Sequence, residues 1–203
     1  MVALALTNMV VLGTSRLRAC VRVVAGQGVA LGVLPLLTHE FEWQLLLFAA
    51  LNVIIKGLVF PMILFKTLRR LNVWREEQPY VGYGLSLLLG PVMLGFSSWL
   101  GSALVMPGHV TSMLIPVASF TLMVGLFLIV SRKKALFQVL GYLVLENGIY
   151  AFGMAIAYEQ PLLIELGVLL DVFVGVFVMG IAIFHISREF NHIDTDQMSL
   201  LRS

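Results

Sequence analysis

Three ionisable side chains interrupt long apolar runs: Lys56 in "IIKGLVF", Glu146 in "YLVLENGIYAF" and Asp171 in "GVLLDVFVG". A carboxyl group in such a setting feels two opposed influences. Burial favours its neutral form and a nearby cation favours its charged form. A Glu and an Asp beside a Lys can therefore exchange a proton within a physiological range. The plainer alternative is a buried ion cluster that only fixes helix packing, as interhelical polar contacts often do.

Other residues lean on this set. Asn52 is one helical turn before Lys56 and shares its face. Pro61, five residues after Lys56, deprives the Gly57 carbonyl of its helical donor and leaves a polar spot beside the ammonium. Asn147, next to Glu146, is placed to bridge to another helix. Gln27 holds a comparable mid-helix position in neutral form. Glu165 lies six residues before Asp171, about 240° around a helix, so the two do not share a face. His185, 14 residues after Asp171 and nearly on its face, is either an exit group or an ordinary interfacial histidine.

Composition says what must position these groups. Of 203 residues, 60% are hydrophobic and 12% charged. A soluble domain of this size is near 45–50% apolar and about 25% charged. The chain is therefore read as an all-α, polytopic membrane helix bundle. Its formal charge of +2 does not suggest a nucleic-acid partner. The single cysteine, Cys20, excludes an intrachain disulfide and reads as a small packing residue. The start, "MVALALTNMVVLGTSR", has no basic residue before its apolar run and no cleavage-site pattern, so it reads as a retained, short first helix.

Apolar runs and polar breaks predict seven helices, near 2–15, 19–38, 44–66, 80–104, 111–131, 135–157 and 161–186, with six spans as the alternative. Seven helices put Arg16, Arg18, Arg22, Lys66, Arg69, Arg70, Arg75, Arg132, Lys133, Lys134, Arg188 and Arg202 at one side. The other side has no Lys or Arg, and Lys56 belongs to neither. The basic side is expected to be cytoplasmic, with the N-terminus outside and the C-terminus inside. At a rise of ~1.5 Å per residue, Glu146, Asp171 and Lys56 lie roughly 16, 15 and 18 Å inside a hydrocarbon core of about 30 Å, so they share a level near the midplane. Exposure to lipid would cost each about 2.5–3.5 kcal/mol. They are expected to face one another.

The chain reads as one membrane domain over 1–203. A three-helix unit (1–72), a linking helix (80–104) and a second three-helix unit (111–191) precede a polar tail (192–203). A faint likeness between "VLGTSRLRACVRVVAGQG" and "LIVSRKKALFQVLGYLVLENG" suggests an internal repeat whose halves run parallel. The linking helix carries small residues at Gly82, Ser86 and Gly90, and at Ser97 and Gly101, as a packing face does. There is no CxxC, no His pair at metal-ligand spacing and no phosphate loop. The expectation is a subunit without a redox cofactor of its own, and without a catalytic site.

"LGYLVLENG", "LLIELGVLLD" and the closing "REFNHID", with "IIKGLVFP" in the third helix, resemble the hydrogenase-4 component E family. These are membrane subunits of energy-converting hydrogenase and formate hydrogenlyase type complexes. The last three helices are also similar to the K subunit of NADH-quinone oxidoreductase. In that likeness Glu146 stands for the family's first membrane glutamate, one turn further along, with Leu143 at the direct position. Asp171 stands for the second, with a shorter side chain. The resemblance implies a multi-pass subunit of a bacterial or archaeal cytoplasmic membrane, engaged in proton or cation translocation. Its implied partners are antiporter-like and quinone-oxidoreductase-like membrane subunits and peripheral [NiFe] and iron–sulfur subunits. The remaining readings are a purely structural bridging subunit of such a complex and a stand-alone ion transporter.

Overall fold

A computed structural model describes residues 1–38, 43–71, 74–76, 78–103 and 113–156. The expected helix 161–186, and with it Glu165, Asp171 and His185, lies outside the described residues. So does the polar tail.

The described chain forms α1 (Val2–Gly13), α2 (Leu17–Thr38), α3 (Trp43–Ile54), a π-helical turn (Ile55–Val59), α4 (Phe60–Leu71), α5 (Tyr83–Ala103), α6 (Leu114–Ser131) and α7 (Ala135–Ile156). α3, the π turn and α4 run on as one rod. Among the described residues, five stretches are long and apolar enough to cross a bilayer: Leu17–Leu36, Ala49–Arg69, Tyr83–Ala103, Leu114–Ser131 and Ala135–Ala155. α1 is apolar but shorter. The protein is an all-α polytopic membrane bundle.

Several boundaries differ from the expected ones: α2 begins at Leu17 rather than 19 and α5 at Tyr83 rather than 80. The third helix continues to Leu71 rather than stopping near 66. Thr67 and Leu68 stay buried while Lys66 and Arg69 are exposed, so a change in composition is not a break in the backbone. The first helix stops at Gly13 because Thr14 is extended (φ −107°, ψ 137°).

Among the described helices, α6 and α7 are the closest-packed pair. Gly125, Gly141 and Gly148 let the two backbones meet. A Cβ on Gly148 would come within 2.6 Å of the Leu122 nitrogen, and one on Gly141 within 2.9 Å of the Ile129 nitrogen. Such small-residue seams drive helix association where lipid removes the hydrophobic force. Around this pair, Leu12, Leu17, Cys20, Val24, Phe60, Leu64, Phe120, Val124, Phe137 and Leu140 form the main core. α5 lies outside it. Ser86, Gly90 and Ser97 are turned inward, whereas Leu88, Val92 and Trp99 are exposed as an apolar outer face.

The basic ends of the helices are tied by backbone. The Leu17 amide donates to the Trp74 carbonyl (3.2 Å) and the Glu76 amide to the Ser15 carbonyl (3.2 Å). Arg16 and Arg75 form an isolated antiparallel bridge.

Candidate functional site

Lys56 lies in the π turn and is buried. The turn is closed by the Phe60 amide donating to the Ile55 carbonyl, one residue further than in an α-helix. Pro61, which lacks an amide hydrogen, follows directly. The predicted irregularity beside Lys56 is thus a widened turn.

The Lys56 ammonium reaches α7. Its Nζ lies 2.8 Å from Glu146 Oε1, with both side chains more than nine-tenths buried. It also donates to Asn147 Oδ1 (3.1 Å) and stands 5.5 Å from the centre of the Tyr150 ring. The two charges share one level of the bundle. Gly28 of α2 backs the lysine stem, where an added Cβ would fall 2.6 Å from Lys56 Cβ.

The contact between the charges is close, yet it lacks the direction of a hydrogen bond, so neither Glu146 oxygen has a hydrogen-bond partner among the described residues. Asn52 Oδ1 and Gln27 Oε1 are likewise buried without one. All four atoms are acceptors. A proton on Glu146 turns one of them into a donor, which is the change a proton-exchanging site needs.

A narrow cleft touches the site from the basic end. It is lined by Val21, Val24 and Ala25 of α2, Phe60, Pro61 and Leu64 of α4, and Leu140 and Leu143 of α7, with Lys56 and Asn147 at its inner end. It leaves about 10 Å³ for the centre of a water molecule, close to what one water requires. Leu143 is part of this apolar wall.

Gln27 belongs to a neighbouring network. Its Nε2 donates to Asn8 Oδ1 (2.8 Å) and Thr7 Oγ1 (2.8 Å) of α1. Asn8 Nδ2 in turn donates to Thr121 Oγ1 of α6 (2.8 Å). Asn8 and Thr121 are fully buried. Sequence reasoning passed over both, although the polar pair Thr7–Asn8 inside an apolar helix was a usable signal. Gln27 remains close to the charge pair through its neighbour Gly28.

A second cluster missed by sequence reasoning lies at the basic end. The buried Glu76 Oε1 accepts the amides of Lys133 (2.7 Å) and Lys134 (2.9 Å), just ahead of α7. An anion there also suits the positive end of the helix. The Tyr83 hydroxyl donates to the Glu76 carbonyl (3.0 Å). Arg132 is fully buried, donates to the Leu12 carbonyl (2.9 Å) and lies 4.3 Å from the Tyr83 ring centre. Burial pushes its guanidinium below its ordinary range, and Tyr83 and Glu76 act in the opposite direction.

No family model matches the chain, and no solved structure matches it. The chain is 31% identical to the uncharacterized protein Rv0085 of Mycobacterium tuberculosis over 204 residues, covering 98% of this chain and 92% of that one. It is 26% identical to hydrogenase-4 component E of Escherichia coli over 162 residues, 78% of this chain and 74% of that one. The Shigella flexneri protein of the same name matches equally. These relatives are bacterial, and the chain is a multi-pass protein of the kind found in the inner membrane. Its relation to hydrogenase-4 component E is distant. With the shared length and the membrane architecture in view, the chain belongs to the family that includes the mycobacterial protein Rv0085.

Proposed function

We propose that this protein is a membrane subunit of a hydrogenase-4-like or complex I-like energy-converting oxidoreductase complex, and that it contributes mid-membrane charges to proton or cation translocation. The observation that carries the reading is the buried Lys56–Glu146 pair, 2.8 Å apart between the π turn and α7, whose carboxylate oxygens accept no hydrogen bond among the described residues. Taking each charge out of water costs several kcal/mol. A pair retained at that cost, at a backbone irregularity typical of functional sites, is suited to changing its protonation state.

In this reading Glu146 takes and releases the ion, with Asp171 as a second carboxylate on the following helix. Lys56 sets the local potential. Asn52 and Gln27 offer neutral acceptors, while Glu165 and His185 flank the outer and inner ends. The basic ends face the cytoplasm, the N-terminus is outside, and seven spans complete the bundle. The partners are antiporter-like and quinone-oxidoreductase-like membrane subunits, with peripheral [NiFe] and iron–sulfur subunits. This chain carries no cofactor and is not itself catalytic.

The alternative, a subunit that only bridges its neighbours, is favoured by the tightness of the cleft, which has room for about one water. Glu146→Gln separates the two. It keeps the shape and removes the titrating group. A relay requires that the variant complex assemble normally yet lose most ion transport per electron in proteoliposomes. Wild-type transport in Glu146→Gln and Asp171→Asn alike would leave the bridging role.

A further inference from the structure

Four arginines with no described acidic partner share one groove at the basic end. Arg16, Arg18 and Arg22 of the first turns of α2 and the residue before it face Trp74 and Arg75 across an open space of about 760 Å³. All four arginine side chains are exposed. Among the described residues, none of the four guanidinium groups is paired with a carboxylate. Arg18 and Arg22, four apart, lie on one helix face, where like charges repel. The Arg18 guanidinium sits 3.7 Å over the Trp74 ring, which fixes its plane. The backbone bridge between Arg16 and Arg75 fixes the two walls relative to each other. The groove is thus a preassembled cationic site that calls for an anion.

Depth selects the anion. Arg22 lies five residues into the span that starts at Leu17, about 7 Å along the helix. A dissolved anion would lose its hydration to reach that level, whereas a lipid phosphate sits in the headgroup layer just outside it and an arginine stem extends outward to meet it. Trp74 suits the same headgroup layer. Guanidinium forks match phosphate oxygens two at a time. We propose that this groove binds the phosphate headgroup of an anionic phospholipid.

The test uses the full chain purified in mixed micelles of phosphatidylglycerol and phosphatidylcholine, with retained lipid counted by mass spectrometry. The wild type should enrich phosphatidylglycerol over its share of the mixture. Each guanidinium near the surface is worth roughly a factor of five. Arg18→Gln with Arg22→Gln should therefore lower the enrichment about 25-fold, and Arg75→Gln alone about fivefold. Arg69→Gln, an exposed arginine outside the groove, should leave it unchanged. Should the double variant fail to fold, Arg75→Gln and Arg69→Gln still decide the matter. Equal retention of both lipids by the wild type would overturn the proposal, as would an equal loss in Arg69→Gln, which would mean diffuse surface charge. Displacement by millimolar inorganic phosphate would assign the groove to a soluble anion instead. Loss of the lipid on co-purification with partner subunits would assign it to a protein segment.

Discussion

Gly28 of α2 and Lys56 of the π turn touch so closely that a Cβ on the glycine would come 2.6 Å from the lysine Cβ and 3.0 Å from its Cδ. The lysine is pressed toward α7 by a backbone, not by another side chain. Gly28→Ala cannot be absorbed at the flexible end of Lys56, because the clash is at its root. Overpacking of this kind costs about 1–3 kcal/mol. We expect that loss in unfolding measurements in mixed micelles, together with weakened coupling between Lys56 and Glu146. An unchanged stability would show that α2 yields freely there.

The charge pair itself predicts strong non-additivity. Lys56→Met strands a buried carboxylate, and breaking such a pair costs about 3–5 kcal/mol. Glu146→Met strands the ammonium at similar cost. The double variant should recover most of the loss, because replacing both partners by apolar groups is often neutral or stabilising. A double-mutant cycle on unfolding free energy checks this, and additive losses would mean that the two side chains do not meet.

Glu76 predicts a failure at the other end of the bundle. Glu76→Ala removes the acceptor of the Lys133 and Lys134 amides and leaves the buried Arg132 without its neighbouring acid. Hydrogen bonds to a charged group are worth about 1.5–3 kcal/mol each. We expect a stability loss of about 3 kcal/mol by thermal unfolding, with Glu76→Gln intermediate because its carbonyl still accepts. A wild-type Tm in Glu76→Ala would refute the clasp.

Asn8 links α1 to α2 and α6 through one donated and one accepted hydrogen bond. Such bonds in membranes average about 0.6 kcal/mol. Asn8→Leu should therefore cost only about 1–2 kcal/mol. Its effect on ion transport per electron should be far smaller than that of Glu146→Gln. A loss of transport equal to that of Glu146→Gln would place Asn8 in the relay itself.

Orientation is tested directly. A reporter after Ser203 should read as cytoplasmic and one within residues 39–43 as external, following the one-sided distribution of Lys and Arg. A cytoplasmic signal at residue 41 would overturn the arrangement.

Much of the described site was legible from depth alone. Lys56 and Glu146 occupy one level when counted at a fixed rise along straight helices, and Asn147 adds the bridge that its place beside Glu146 suggested. Counting could not show the partners of Gln27, because Asn8 and Thr121 approach it through packing between α1, α2 and α6. It also hid Glu76 and Arg132. Both lie in breaks where charge is ordinary, and only the return of residues 74–76 against the α6–α7 connection buries them. Pro61 signalled a disturbed backbone, but the register of the disturbance depends on the neighbours of residues 55–59.

The π turn is, in effect, one residue more than a regular helix would hold. Residues on its two sides are out of phase by about 100° compared with an uninterrupted helix. Removing a single residue from it would let the rod rewind and swing Lys56 away from α7 while leaving every helix in place. Across relatives, a one-residue gap at this point would mark the chains in which the lysine points elsewhere, and an ungapped alignment through it would misjudge which of them keep the pair.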